Sequence, residues 1–106
     1  MELEFRLRED AKRAKALTDE NRLAILTALR QGEKCGCTLM SELNITQPTL
    51  SHHMRILCDS SLVSCRKDGK WTIYSISPEG VKSFLEMVSS YTGCEHDTKK
   101  TAAQTE

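Results

Sequence analysis

Apolar residues recur at helical spacing along most of the chain and change to alternation once. Leu3, Leu7, Ala11 and Ala14 fall three or four apart, which predicts a first helix over residues 3–16. Leu23, Leu26 and Leu29 share one face of a second helix, with Thr18 or Asp19 as its cap and Gly32 just past its end. Leu39 and Leu43 point inward from a short helix over residues 38–43, and Asn44-Ile45-Thr46 reads as a tight turn. Pro48 suits a helix start, because a first-turn amide needs no intrahelical partner. Leu50, Met54 and Leu57 then form the apolar stripe of a helix over residues 47–59. Between Leu62 and Ile76 the strand formers Val63, Cys65, Trp71, Ile73 and Tyr74 flank Asp68-Gly69, a strong hairpin signal. Ser77-Pro78-Glu79 opens a last helix, with Val81, Phe84, Leu85 and Val88 on one face.

The order helix, helix, short helix, helix, hairpin, helix predicts a mainly α fold with a small β-hairpin: a winged helix-turn-helix. Residues 1–92 form the domain, and the polar stretch 93–106 forms a tail. A chain of 106 residues cannot bury every apolar stripe by itself. The outer helices, with Leu3 and Leu7 on the first and Val81, Phe84, Leu85 and Val88 on the last, therefore form the expected interface of a homodimer.

The helix over residues 47–59 carries a second message on its polar face. Gln47, Thr49, Ser51, His52 and Arg55 offer hydrogen-bond donors and a fixed cation, with no carboxylate before Asp59. Base edges in a DNA major groove are read by such groups. His53 is expected to divide its role between phosphate contact and packing. Neighbouring helical residues point about 100° apart, so His52 and His53 make a poor chelate. Net charge is zero and gives no global argument for nucleic acid, but residues 45–71 hold Arg55, Arg66, Lys67 and Lys70 against Asp59 and Asp68. Arg66, Lys67 and Lys70 flank the hairpin tip, where phosphate or minor-groove contact is expected. Trp71 and Tyr74 are expected to pack.

Hydrophobic and charged contents of 39% and 28% fit a soluble globular chain with no membrane partner. The charged N-terminal decapeptide has no signal-peptide pattern, so a cytoplasmic location is expected. Five cysteines in such a chain point to thiolate chemistry rather than a disulfide framework. No Cys-x-x-Cys, His-Glu-x-x-His or phosphate-cradling glycine loop is present, so an enzyme is not expected.

Several segments together resemble the ArsR-type metalloregulators, small dimeric winged-helix repressors that release DNA on binding a metal ion or metalloid. Ala16-Leu17-Thr18-Asp19-Glu20-Asn21-Arg22-Leu23-Ala24-Ile25-Leu26 is similar to that family's second-helix opening. Gln47-Pro48-Thr49-Leu50-Ser51-His52-His53-Met54 is similar to its recognition helix, and Ser61-Leu62-Val63 with Arg66-Lys67-Asp68-Gly69-Lys70 to its wing. The resemblance covers residues 12–90. Cys35-Gly36-Cys37-Thr38-Leu39 resembles the Cys-x-Cys-Asp-Leu of members that sense arsenite or antimonite, with Thr38 in place of Asp. Some of those members have a further cysteine where Met40 stands here. The resemblance implies a repressor of an arsenic-resistance operon, partnered by operator DNA and a second copy of itself. It needs no cofactor and is induced by As(III) or Sb(III) at Cys35 and Cys37.

Thiolates select soft ions, and Cys-x-Cys suits chelation better than an intramolecular disulfide. On a regular helix residues i and i+2 point about 200° apart, so both sulfurs cannot grip one atom. The expectation is that capture unwinds the start of the third helix at Gly36. A third ligand could come from Cys94, with His96 near it, or from Cys58; Cys65 is a weaker candidate, and water or a small thiol could also complete the site. Two other inducer readings stay open: a cadmium, lead or zinc sensor, and a thiol-redox repressor.

Overall fold

The computed structural model describes residues 1–95. Helix α1 (Glu2–Ala14) runs into a 3-10 turn at Lys15–Leu17 and then α2 (Glu20–Leu29). Asp19 is the α2 cap, its carboxylate accepting from the Asn21 and Arg22 amides at 2.7 and 3.4 Å. The core face of α2 is not the expected leucine stripe. Ile25 and Leu29 point inward with Arg22, while Leu23 is 46% exposed and Leu26 half-buried. Leucine and isoleucine alternate round this helix, so its apolar spacing alone does not choose a face.

A two-residue strand, β1 (Lys34–Cys35), precedes α3 (Gly36–Leu43). Asn44 ends α3 in the left-handed region at φ 55°, and Thr46 caps α4 (Gln47–Asp59) by accepting from the Thr49 amide at 3.4 Å. Leu50, Met54 and Leu57 lie buried in the core, as their spacing predicts. Then come β2 (Val63–Asp68), β3 (Trp71–Ile76) and α5 (Pro78–Thr92). Asp68 pairs with Trp71, so the hairpin loop is Gly69-Lys70 rather than Asp68-Gly69. Gly69, at φ +64°, supplies the positive φ that the first loop position of such a turn needs.

The sheet has three strands in the order β1-β3-β2, all antiparallel, rather than the two of a simple hairpin. Two residues carry no alternation, which is why β1 leaves no trace in the hydrophobic pattern. α5 starts against the turn after α4, where a Cβ built on Gly80 would stand 1.6 Å from the Ser61 carbonyl oxygen. That approach seats Phe84 in the protomer's own core, 7% exposed, and corrects its expected place in a dimer interface. No residue of α1 is buried, and Leu3, Leu7 and Val88 stand exposed. Val81 is half-buried against the core and Leu85 is also half-buried. α5 ends at Thr92, with Gly93 at φ +75° beyond it. His96 and the rest of the expected tail lie outside the described residues.

Candidate nucleic-acid interface and thiol site

The turn between α3 and α4 exposes the front of α4. Gln47, Ser51, His52 and Arg55 are open to solvent, and Thr49 is half-buried beside its capping partner. His53 departs from its expected role. It is 5% exposed and lies on the back of the helix. Arg22 donates from a terminal nitrogen to His53 Nδ1 at 3.1 Å, so Nδ1 is the acceptor and the ring is neutral. The same guanidinium donates to the carbonyls of Ala16 at 3.1 Å and Lys15 at 2.9 Å. Burial pushes the His53 pKa down, with the Arg22 and His52 charges adding to it and Asp19 opposing. Arg22 and His53 thus join α2 and the turn before it to the recognition helix. Two polar residues spaced for the core side of their helices were the only signal of this link.

The wing presents Arg66, Lys67 and Lys70, all exposed. Arg66 donates to both carboxylate oxygens of Glu33 at 2.6 and 2.9 Å, which fixes it beside the loop before β1. Lys67 donates to the Thr72 hydroxyl at 3.1 Å, and the Lys70 ammonium lies 5.2 Å from the Trp71 ring centre. Each of the three cations is therefore held by a neighbour, Arg66 by Glu33, Lys67 by Thr72 and Lys70 by Trp71.

The thiol pair sits at the junction of β1 and α3. Cys35 is the residue before the helix, with extended backbone at φ −79° and ψ 161°, and Cys37 is in its first turn. The sulfurs are already 2.8 Å apart, with Cys35 Sγ 3.2 Å from the Thr38 hydroxyl. The 200° separation expected for two helical residues does not apply, because Cys35 is outside the helix. Both sulfurs can face one atom while α3 stays regular, and the expected unwinding at Gly36 is not required. Gly36 serves instead as a point of close approach. A Cβ there would stand 3.3 Å from Leu50 Cδ2 and 3.5 Å from Tyr74 Cε2.

Electrostatics divides the pair. Hydrogen bonds from the Cys37 thiol, then from the Thr38 hydroxyl and amide, lower the Cys35 pKa from 9.0 to about 7. The same bond to Cys35 pushes Cys37 up. Near neutral pH Cys35 is therefore part-ionised, while Cys37 keeps its proton. Thr38 contributes a donor where an aspartate would bring a like charge.

Within the protomer neither Cys58 nor Cys94 joins this pair. Among the described residues no group of three His, Cys, Asp or Glu side chains is placed to share an ion. Cys94 is exposed beyond α5. Cys58 stands beside Cys65, and burial with that second thiol pushes its pKa up to about 11. Tyr74 neighbours both thiols, and its phenol is pushed up first by burial and then by them.

A helix-turn-helix whose second helix shows a polar front, with a basic hairpin beside it, defines a winged-helix DNA-binding regulator. Residues 19–64 match the family described as bacterial regulatory protein, arsR family. The arsenical resistance operon repressor of Staphylococcus xylosus is 46% identical over 75 residues, covering 71% of this chain and 68% of that protein. The cadmium resistance transcriptional regulatory protein CadC homolog of Staphylococcus aureus is 38% identical over 77 residues, 72% of this chain and 64% of that one. The homodimeric winged helix-turn-helix DNA-binding domain from Mycobacterium bovis superimposes with a TM-score of 0.66 at 26% identity, covering 86% of this chain and 89% of that one. The chain belongs to the ArsR family of transcriptional regulators, and these relatives are regulators rather than enzymes. No helix among the described residues is long and apolar enough to cross a membrane.

Proposed function

We propose that this regulator is a cytoplasmic homodimeric repressor that holds its operator in the reduced, ligand-free form and leaves it when As(III) or Sb(III) binds Cys35 and Cys37. The observation that carries the reading is the 2.8 Å sulfur pair, whose Cys35 thiol ionises near neutral pH. The arsenical-resistance relative supports the choice of inducer. Cys35 attacks arsenous acid, Cys37 follows, and two waters leave: As(OH)3 plus two thiols gives a dithiolate As–OH and two H2O. The remaining As–OH position stays with water, exchanges for a small thiol, or takes Cys94 from the second subunit. Gln47, Thr49, Ser51, His52 and Arg55 enter the major groove, while Arg66, Lys67 and Lys70 meet phosphate or the minor groove.

The route from thiols to DNA follows from the sheet. Cys35 lies opposite Ile73 of β3, and Ile73 lies opposite Arg66 of β2. Gly36, between the two thiols, packs on Leu50 of α4 and Tyr74 of β3. A ligand that resets the sulfur spacing therefore displaces the wing and the recognition helix together. The inducer must bind the DNA-incompetent arrangement more tightly, and by reciprocity DNA then weakens inducer binding.

The test is fluorescence anisotropy of labelled operator under reducing conditions, titrated with arsenite and, separately, cadmium. Release at micromolar arsenite with Cys35 and Cys37 reduced supports the proposal. Retention of DNA under arsenite, with release by cadmium alone, turns the reading toward the cadmium-resistance relative.

A further inference from the structure

A second pair of thiols lies outside the Cys35–Cys37 site, and nothing in the proposed mechanism uses it. Cys58 follows Met54 by one helical turn, so it continues the inward stripe of α4 and is half-buried against the core. Cys65 follows Val63 by two residues on β2. Strand side chains alternate, so Cys65 shares the face on which Val63 is buried. That face is the one α4 packs against. Tyr74 is the cross-strand partner of Cys65 and packs on the same core. Two thiols and one phenol therefore lie on the facing surfaces of α4 and of the β2-β3 pair, where α4 packs on β2.

We propose that Cys58 and Cys65 form a second, independent site for a divalent soft cation that prefers two-coordinate linear geometry, with Hg2+ as the representative ion. Three observations select that class. Sulfur ligands favour soft ions over magnesium, calcium or manganese. Two sulfurs are present, and no third His, Cys, Asp or Glu group joins them among the described residues. The site is part-buried beside apolar side chains, with Asp59 next to Cys58 in the chain, so a complex without net charge is favoured. Two thiolates neutralise a divalent ion and leave a negative charge on a monovalent one, while As(III) keeps a third position open to a competing thiol. The reaction balances as Hg2+ plus two thiols giving a bis-thiolate and two protons, with no redox change. Bound there, the ion would join α4 to β2 by a covalent bridge and fix the recognition helix against the wing.

The experiment uses the full chain with Cys35→Ser, Cys37→Ser and Cys94→Ser, which leaves only Cys58 and Cys65. Hg2+ is titrated in excess glutathione and followed by sulfur-to-metal absorption and native mass spectrometry. One ion per protomer, held against the competitor, is expected. Adding Cys65→Ala, at an exposed position that the fold tolerates, turns a chelate into a single-thiol site and should cost roughly 100-fold or more in apparent affinity. Arsenite offered to the same triple variant should be lost to the competitor. The proposal is overturned if Cys65→Ala leaves Hg2+ retention unchanged, if the ion links two protomers instead of seating within one, or if arsenite is held as firmly as Hg2+. Cys58→Ala gives a second reading, and far-UV circular dichroism of each variant separates loss of the site from loss of the fold.

Discussion

Cys35 lies directly across the sheet from Ile73, so one member of the thiol pair is a residue of the wing's own sheet. The other, Cys37, belongs to the helix that precedes the recognition helix. The pair is therefore a joint between the wing's sheet and the helix-turn-helix, and its protonation is unequal. Cys35, with a pKa of about 7, should react with iodoacetamide first, with half-maximal rate near that pH. Cys37→Ala removes the strongest hydrogen bond to that thiolate. The alkylation profile of Cys35 should then move to higher pH, operator affinity should change less than about threefold, and arsenite should no longer release DNA. A Cys35 profile that stays in place in Cys37→Ala would show that the two sulfurs do not share a proton.

Much of this arrangement was legible in the chain. Pro48 and the Leu50-Met54-Leu57 stripe place α4, because each signal acts within its own helix. The Asp19 cap and the hairpin follow from equally local chemistry. What escaped depends on long-range contacts. β1 is two residues long and exists through its pairing to β3, so Cys35 reads from spacing alone as part of a helix rather than its cap. The inward turn of His53 follows from Arg22 on another helix, and the inward turn of Phe84 from the Gly80–Ser61 approach. The Cys58–Cys65 meeting requires knowing which face of the wing α4 covers. None of these contacts leaves a periodic signal in the chain.

Gly80 is where α5 docks. A Cβ there would overlap the Ser61 carbonyl, which is backbone and cannot rotate away, and Ser61 already stands at φ 74°. Gly80→Ala should therefore destabilise the fold by about 1–3 kcal/mol or more through forced backbone movement, despite alanine's better helix propensity. Urea denaturation of the variant against the parent checks this, and an unchanged midpoint would mean that α5 can shift without cost.

His53 should make stability depend on pH in one direction. Its folded pKa is lowered, chiefly by burial, while in the unfolded chain it returns to about 6.5. Above that pH both states are neutral and the full stability is present. Below it the unfolded chain takes a proton that the folded site refuses, so stability falls until the pH passes the folded value. The slope from this one group is at most about 1.4 kcal/mol per pH unit. His53→Asn keeps an acceptor for Arg22 and has nothing to titrate. The difference between the two proteins' urea midpoints should shrink as pH falls from neutral to about 5.

Arg55 is exposed on the front of α4, whereas His53, two residues earlier, is closed off behind it. Arg55→Ala should weaken operator binding by about 1–3 kcal/mol and leave the thermal midpoint nearly unchanged. Arsenite should still release whatever DNA the variant holds. His53→Asn should show the converse, with stability altered and operator contacts kept. Anisotropy and thermal scans on the two variants separate the reading face from its support, and equal losses of affinity would place His53 back at the DNA.

The residues expected at a dimer surface divide along burial. Leu7 on α1 and Val88 on α5 are exposed at 44% and 43%, while Phe84 on α5 is enclosed by its own protomer with the Arg13 guanidinium 5.6 Å from its ring centre. A charge at Leu7 or Val88 meets water in the isolated protomer and is penalised only where a second copy covers it. A charge at Phe84 meets the core in either state and brings an uncompensated ion into an apolar site. Leu7→Glu and Val88→Glu should therefore keep native helicity, sediment as monomers and lose cooperative operator binding. Phe84→Glu should lose helicity at temperatures where the other two remain folded. Analytical ultracentrifugation beside far-UV circular dichroism distinguishes the two outcomes. Leu7→Glu and Val88→Glu proteins that still sediment as dimers would require the second subunit to bind elsewhere, such as the apolar groove of about 590 Å³ between Leu23 of α2 and Leu85 of α5.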